Sequence, residues 1–146
     1  FFFQQHLHKT NMKLLEQTYL NYHRASLIML TDKEISQQKK FYFADTGILN
    51  VLAGNRLSQG QIFENAIAAQ LKPMGSLQYY QRKSGQEIDF IFNEDTAIEV
   101  KETPLQQDKK SLTARAAGIG IHHLLLIGHH PPQKDFDDFI WGGSVF

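Results

Sequence analysis

The sequence predicts an α/β fold in the order helix, three strands, helix, strand. Three observations carry that prediction. An apolar stripe at Ile62, Phe63, Ala66, Ile67 and Leu71 recurs at helical spacing. Three short strand-like segments follow it, separated by the turn signals Ser84-Gly85 and Asn93-Glu94-Asp95. A helical pattern over residues 106–117 then leads through Gly118 and Gly120 into the apolar run of residues 122–127.

The elements follow in chain order. Residues 11–30 read as a helix, because Met12, Leu15, Tyr19, Tyr22 and His23 recur at helical spacing and Leu27, Ile28, Met29 and Leu30 continue the apolar content. Residues 31–40 are polar and rich in Gln and Lys, as a loop is. Phe41-Tyr42-Phe43 is a short strand candidate. Asp45 is placed to N-cap a brief helix through Ile48, Leu49 and Leu52 that ends at Gly54. The stronger helix opens near Gly60, and Pro73 stops it. Strands are expected over residues 77–82, 87–92 and 97–101, then the second helix over 106–117 and the strand over 122–127. Two regions result: a helical segment over residues 1–38 and an α/β domain over residues 39–146.

Composition bounds the function. With 146 residues, 42% apolar and 21% charged, the chain has a folded domain's composition and enough length for a core. The chain opens on Phe1, which suggests a fragment of a longer protein. There is no cysteine, so disulfides, thiolate zinc sites and cysteine nucleophiles are excluded. No apolar run approaches the ~20 residues of a membrane helix, and polar residues follow Phe1-Phe2-Phe3 too soon for a secretory signal. A cytoplasmic protein fits best. Fifteen basic and fifteen acidic residues exclude a polycation, so any DNA contact must come from a local patch. The acidic residues concentrate after Gly60, eleven against eight basic ones.

Chemistry gathers on the strands. Glu99 and Lys101 lie two apart on one strand, so they face the same way, while Ile98 and Val100 face the other. Asp89 interrupts the apolar run between Ile88 and Phe90 on the preceding strand. A two-residue hairpin loop sets Asp89 opposite Val100, on the wrong face. A three-residue loop brings it to the face of Glu99 and Lys101. An odd-length loop around residues 93–96 is therefore expected, with room for a bulge.

Two carboxylates on adjacent strands suit a hard divalent cation, Mg²⁺ or Mn²⁺, with the Val100 backbone carbonyl as a further oxygen. A neighbouring lysine orients or helps deprotonate an attacking water, a set suited to phosphodiester hydrolysis. Glu64 borders the apolar face of its helix and is positioned to join through water.

Gly85-Gln86-Glu87-Ile88-Asp89-Phe90-Ile91, followed by Ile98-Glu99-Val100-Lys101, resembles the PD-(D/E)xK nuclease superfamily. The fold this implies is restriction-endonuclease-like, an α-β-β-β-α-β core with a mixed sheet. A closer resemblance runs through Lys40-Phe41-Tyr42-Phe43-Ala44-Asp45-Thr46-Gly47, Gly60-Gln61-Ile62-Phe63-Glu64-Asn65 and Tyr79-Tyr80-Gln81-Arg82. These look like an uncharacterised nuclease-like domain found C-terminal to an AAA-type ATPase domain in bacterial and archaeal proteins. The resemblance implies an ATPase domain N-terminal to this chain and a winged-helix remnant ending near Leu30. It also implies metal ligands at Asp89 and Glu99, a water-orienting Lys101 and a helix carboxylate at Glu64. Ile88 stands where the motif carries Pro. No GxxxxGK[ST] loop is present, so no ATP site is expected in this chain.

Other groups have plainer readings beside functional ones. Arg82, Lys83, Lys109, Lys110 and Arg115 are candidates for DNA phosphates, and the helix lysines equally for ordinary surface charge. Tyr79 and Tyr80 are strand residues of core or rim, with base stacking as the alternative. The histidines lack zinc spacing. Asp135, Asp137 and Asp138 read as a solvated segment, while Phe136, Phe139 and Trp141 pack the tail or meet a partner.

Three functions remain open. The first is a divalent-metal-dependent DNA nuclease domain, possible as a homodimer and with no membrane role. The second is a non-catalytic DNA- or protein-binding module of the ATPase. The third is an assembly domain whose hairpin charges merely pair across strands, which an even hairpin register would favour.

Overall fold

The computed structural model of the chain describes residues 27–31, 39–82, 85–131 and 136–143. It opens with strands β1 (Leu27–Thr31) and β2 (Lys39–Phe43), antiparallel partners from Leu27↔Phe43 to Thr31↔Lys39. Leu27 to Leu30 is therefore a strand and not the end of the helix that the sequence predicts over residues 11–30, and Lys39 and Lys40 belong to a strand and not to the predicted loop. A short unbroken apolar run has no period that separates helix from strand, and the partner strand decides. The rest of the expected helix, residues 11–26, lies outside the described residues, as does the winged-helix remnant it would form.

Helix α1 (Thr46–Ala53) is capped as its sequence indicates. The Asp45 carboxylate accepts the N–H groups of Gly47 at 2.7 Å and Ile48 at 3.2 Å. Gly54 at its C-cap has φ +55°, a conformation that favours glycine. Helix α2 (Gln59–Leu71) starts with a capping box, in which Ser58 and Gln61 each accept the other's backbone N–H. Its buried residues are Phe63, Asn65, Ile67, Ala68 and Leu71. Ile62 and Ala66, expected in that stripe, are only half-buried.

The sheet has five strands in the order β3-β4-β5-β6-β7. These are β3 (Leu77–Gln81), β4 (Glu87–Phe92), β5 (Thr96–Lys101), β6 (His123–Gly128) and β7 (Ile140–Trp141). The first three are antiparallel, and β5, β6 and β7 run parallel, so the sheet is mixed. Helix α3 (Gln106–Ala117) is the crossover between β5 and β6, and a parallel pair requires such a connection. The α-β-β-β-α-β order expected from sequence is thus observed. β7 was not expected, since two residues carry no periodicity.

Each face of the sheet carries a core. Phe63, Ile67 and Leu71 of α2 pack with Phe90, Ile98 and Ile127. Leu112 and Ala116 of α3 pack with Ile88, Ile91 and Ala97. Strand alternation would put Ile88 and Phe90 on one face, yet they belong to opposite cores. The cause is a β-bulge. Leu77↔Phe92 and Gln78↔Ile91 give way to Tyr80↔Ile88 and Gln81↔Glu87, so Asp89 and Phe90 together oppose Tyr79.

Candidate functional site

The bulge positions Asp89. Pairing of β4 with β5 covers Phe90↔Ile98, Ile91↔Ala97 and Phe92↔Thr96, leaving a three-residue loop of Asn93, Glu94 and Asp95. The odd loop expected from sequence is present, and Asn93 and Glu94 both take positive φ within it. Beyond Phe90 the ladder is replaced by a side chain: Asp89 Oδ2 accepts the Val100 N–H at 2.9 Å. A carboxylate is thereby pinned where β4 and β5 part.

Glu99, 3% exposed, is one of two buried polar residues among those described. Its Oε1 is held by Lys101 Nζ at 2.7 Å and by Arg115 Nη2 at 3.1 Å. Its Oε2 is buried with no hydrogen-bond partner. Leaving a carboxylate oxygen unpaired in a low-dielectric site is costly, so this atom marks a place for a donor or a cation. Arg115 also donates through Nη1 to the Glu87 carbonyl, tying α3 to the start of β4. The arginine considered for phosphate contact is instead turned inward onto Glu99.

Glu64 approaches from α2. Its Oε1 accepts the Tyr42 hydroxyl at 2.5 Å and lies 3.7 Å from Lys40 Nζ. Lys40 also donates to Glu87 and stands 5.4 Å from the Tyr79 ring centre. Both Lys40 and Tyr42 come from β2. That strand is fastened by Asn65 of α2, whose side chain accepts the Phe43 N–H at 2.7 Å and donates to the Phe43 carbonyl at 2.8 Å. Sequence reasoning missed Lys40, Tyr42 and Asn65 as members of the site. The short strand carrying Tyr42 was visible, but nothing local showed where it would dock.

These side chains line one cleft of about 710 Å³. Its carboxylates are Glu64, Glu87, Asp89, Glu99 and Asp108. Its cations are Lys40, Lys101 and Arg115, so negative charge is in excess by two. The imbalance shows in the titration of Asp89. Burial first, then the charges of Glu64 and Glu99, push its pKa from 3.8 to about 7 against the opposing pull of Lys40 and Lys101. Burial acts to lower Lys101, but the charge of Asp89 and the hydrogen bond and charge of Glu99 outweigh it and hold the ammonium above its usual 10.5. Lys101 is therefore a proton-bearing donor at neutral pH, suited to orienting a water but not to deprotonating one. Burial and the neighbouring Glu64 likewise raise Tyr42 well above 10, so its phenol stays a donor.

The hard oxygen set of Asp89 and Glu99 suits Mg²⁺ or Mn²⁺, and the unpaired Glu99 Oε2 is an oxygen such an ion would satisfy. Among the described residues no three Asp, Glu or His groups converge at metal-binding spacing. An ion here would rest on two carboxylates, with the Val100 carbonyl and waters completing its shell. That composition is usual for Mg²⁺, which dehydrates reluctantly.

The expected DNA-contacting residues are scattered. Arg82 is exposed and donates to the Tyr80 hydroxyl at 2.8 Å, and Lys109 pairs with Asp138 at 3.1 Å. Lys110 is exposed on α3, and Lys83 lies outside the described residues. Tyr79 and Tyr80 are fully buried core residues. Trp141 is 58% exposed and does not seal the tail.

A family model described as a domain of unknown function, DUF4143, matches residues 59–141. The match takes in Glu64, Asp89, Glu99, Lys101 and Arg115, and it starts after Lys40 and Tyr42. No curated protein and no solved structure matches the chain. Among the described residues no helix is long and apolar enough to cross a membrane.

Proposed function

The chain belongs to the DUF4143 family of domains of unknown function, and we propose that its α/β domain performs divalent-metal-dependent phosphodiester hydrolysis on DNA. One observation carries the reading. Asp89 and Glu99 line one cleft, Asp89 where two strands part, with one Glu99 oxygen buried and unpaired and the Lys101 ammonium 2.7 Å from the other. The cleft has too much negative charge to receive a phosphodiester by itself, and one divalent cation would offset that excess. Such an ion, Mg²⁺ or Mn²⁺ held by Asp89, Glu99 and the Val100 carbonyl, supplies Lewis-acid stabilisation of charge on the phosphoryl oxygens. Lys101 donates to the attacking water and fixes its position. Glu64, anchored by Tyr42, adds to the negative field that draws the ion in. The resemblance to the PD-(D/E)xK superfamily supports the same assignment. It further suggests an AAA-type ATPase domain N-terminal to this one in the full-length protein.

The test has two parts. Mn²⁺ titrated calorimetrically into the chain should bind, and Asp89→Ala should abolish that binding. Mg²⁺ or Mn²⁺ should support cleavage of single-stranded, duplex or supercoiled DNA, and Lys101→Ala should lose cleavage while keeping the fold. Binding or cleavage that survives Asp89→Ala would refute the site.

A specific observation also favours a second reading, a non-catalytic DNA- or protein-binding regulatory module. Glu99 Oε1 is already satisfied by both Lys101 and Arg115, an arrangement able to stand as a structural ion-pair network. On that reading Mn²⁺ does not bind, and Glu99→Gln lowers stability alone.

A further inference from the structure

Two further carboxylates, Glu64 and Glu87, line the cleft with Asp89 and Glu99. Glu64 on α2 and Glu87 on β4 both approach Lys40, which donates to Glu87 and lies 3.7 Å from Glu64 Oε1. Lys40 is no loose surface charge. Its side chain is 17% exposed, its ammonium stands 5.4 Å from the Tyr79 ring centre, and its strand is clamped by Asn65. Three elements remote from β2 in sequence therefore converge on one ammonium. Its charge also reaches Asp89, where it opposes the repulsion from Glu64 and Glu99.

We propose that Lys40 is a built-in cation that occupies the Glu64–Glu87 side of the cleft, so that the domain takes a single divalent ion, at Asp89 and Glu99. The inference rests on the cation reading of Asp89 and Glu99 and adds to it the stoichiometry and the residue that sets it. The physical argument is charge balance. With Lys40 in place, one divalent ion offsets the cleft's excess of two negative charges. Without it the excess is three, and Glu64, Glu87 and Asp89 lose the cation that separates their repulsion. Hard oxygen donors left in that state recruit a cation from solution. Lys40 is thus a specificity-determining residue on the occupancy of the cleft, contributed by a strand upstream of the α-β-β-β-α-β core.

The experiment is calorimetric titration of Mn²⁺ into the chain and into Lys40→Met, Lys40→Gln and Lys40→Arg, with circular dichroism to establish that each variant is folded. Wild type and Lys40→Arg should bind one Mn²⁺. Lys40→Met and Lys40→Gln should bind a second, and tighter binding of one ion without a second would overturn the stoichiometric role of Lys40. Adding Glu87→Gln to Lys40→Met should remove the extra ion. Wild type that binds one ion, with Lys40→Met and Lys40→Gln indistinguishable from it, would overturn the role of Lys40 and leave the cation site standing. No binding in any of the four proteins would overturn the cation site and this inference with it. Binding that appears only in Lys40→Met and Lys40→Gln would overturn the wild-type cation site at Asp89 and Glu99, and with it the single-ion stoichiometry.

Discussion

Asp89→Asn should stabilise the protein at alkaline pH and lose that advantage as the pH falls. The carboxyl's pKa rises from 3.8 in an unfolded chain to about 7 in the fold, because burial and the charges of Glu64 and Glu99 disfavour its ionised form. Below pH 3.8 both states carry the proton and the group contributes nothing to the pH dependence. Between pH 3.8 and about 7 the folded state keeps a proton that the unfolded state has released, so stability falls as pH rises. Above pH 7 the full cost is present. At about 1.4 kcal/mol for each pKa unit, the ceiling is about 4 kcal/mol. Asparagine keeps an oxygen for the Val100 N–H and cannot ionise. Its stability relative to wild type should therefore climb by up to about 4 kcal/mol between pH 4 and pH 8. Urea unfolding of both proteins across that range measures the difference, and groups that titrate alike in both cancel. A gap that stays constant from pH 4 to pH 8 would show that Asp89 is not held in the repulsive setting described. Millimolar Mn²⁺ at pH 8 should narrow the gap, raising the wild-type midpoint and leaving Asp89→Asn unmoved.

Three further outcomes follow from the packing. Asn65→Ala removes the two buried side-chain bonds to the Phe43 N–H and carbonyl, and should cost about 2–4 kcal/mol in urea unfolding. It should also loosen β2, visible as faster amide exchange at Tyr42 and Phe43. Glu99→Gln leaves Lys101 and Arg115 without their shared carboxylate. Because those two keep partial contact with solvent, the loss should be roughly 2–3 kcal/mol, below the about 3–5 of a fully buried pair. Leu112→Ala empties a fully buried position between α3 and the sheet and should cost about 2–5 kcal/mol, with cation binding unchanged.

The local elements were legible because their signals are local. Asp45 and Gly54 bound α1 as read, since a carboxylate that takes two free N–H groups and a glycine that takes positive φ act within one turn. β4 has the bounds that its apolar run between turn residues indicates, and α3 those of the helical pattern closed by Gly118 and Gly120. The odd loop at Asn93, Glu94 and Asp95 followed from period-two alternation and the cost of turning a charge the wrong way. The pairing of Glu99 with Lys101 needed only their two-residue spacing.

What the chain could not show locally depends on contacts between distant segments. Leu27 to Thr31 is a strand because β2 pairs with it, and no periodicity within five residues contains that fact. The bulge at Asp89 and Phe90 is a property of the β3–β4 register and not of β4 alone. Arg115 reads from sequence as a candidate phosphate contact, and only the packing of α3 brings it onto Glu99. Lys40 and Tyr42 lie far upstream of Asp89 and reach it because Asn65 fastens their strand to α2. Hydrophobic period and turn chemistry, which act over a few residues, thus determined the order of elements and the pair of carboxylates. Long-range strand pairing and burial decided which cations face that pair, because charge balance in a cleft is settled only once the chain has closed around it.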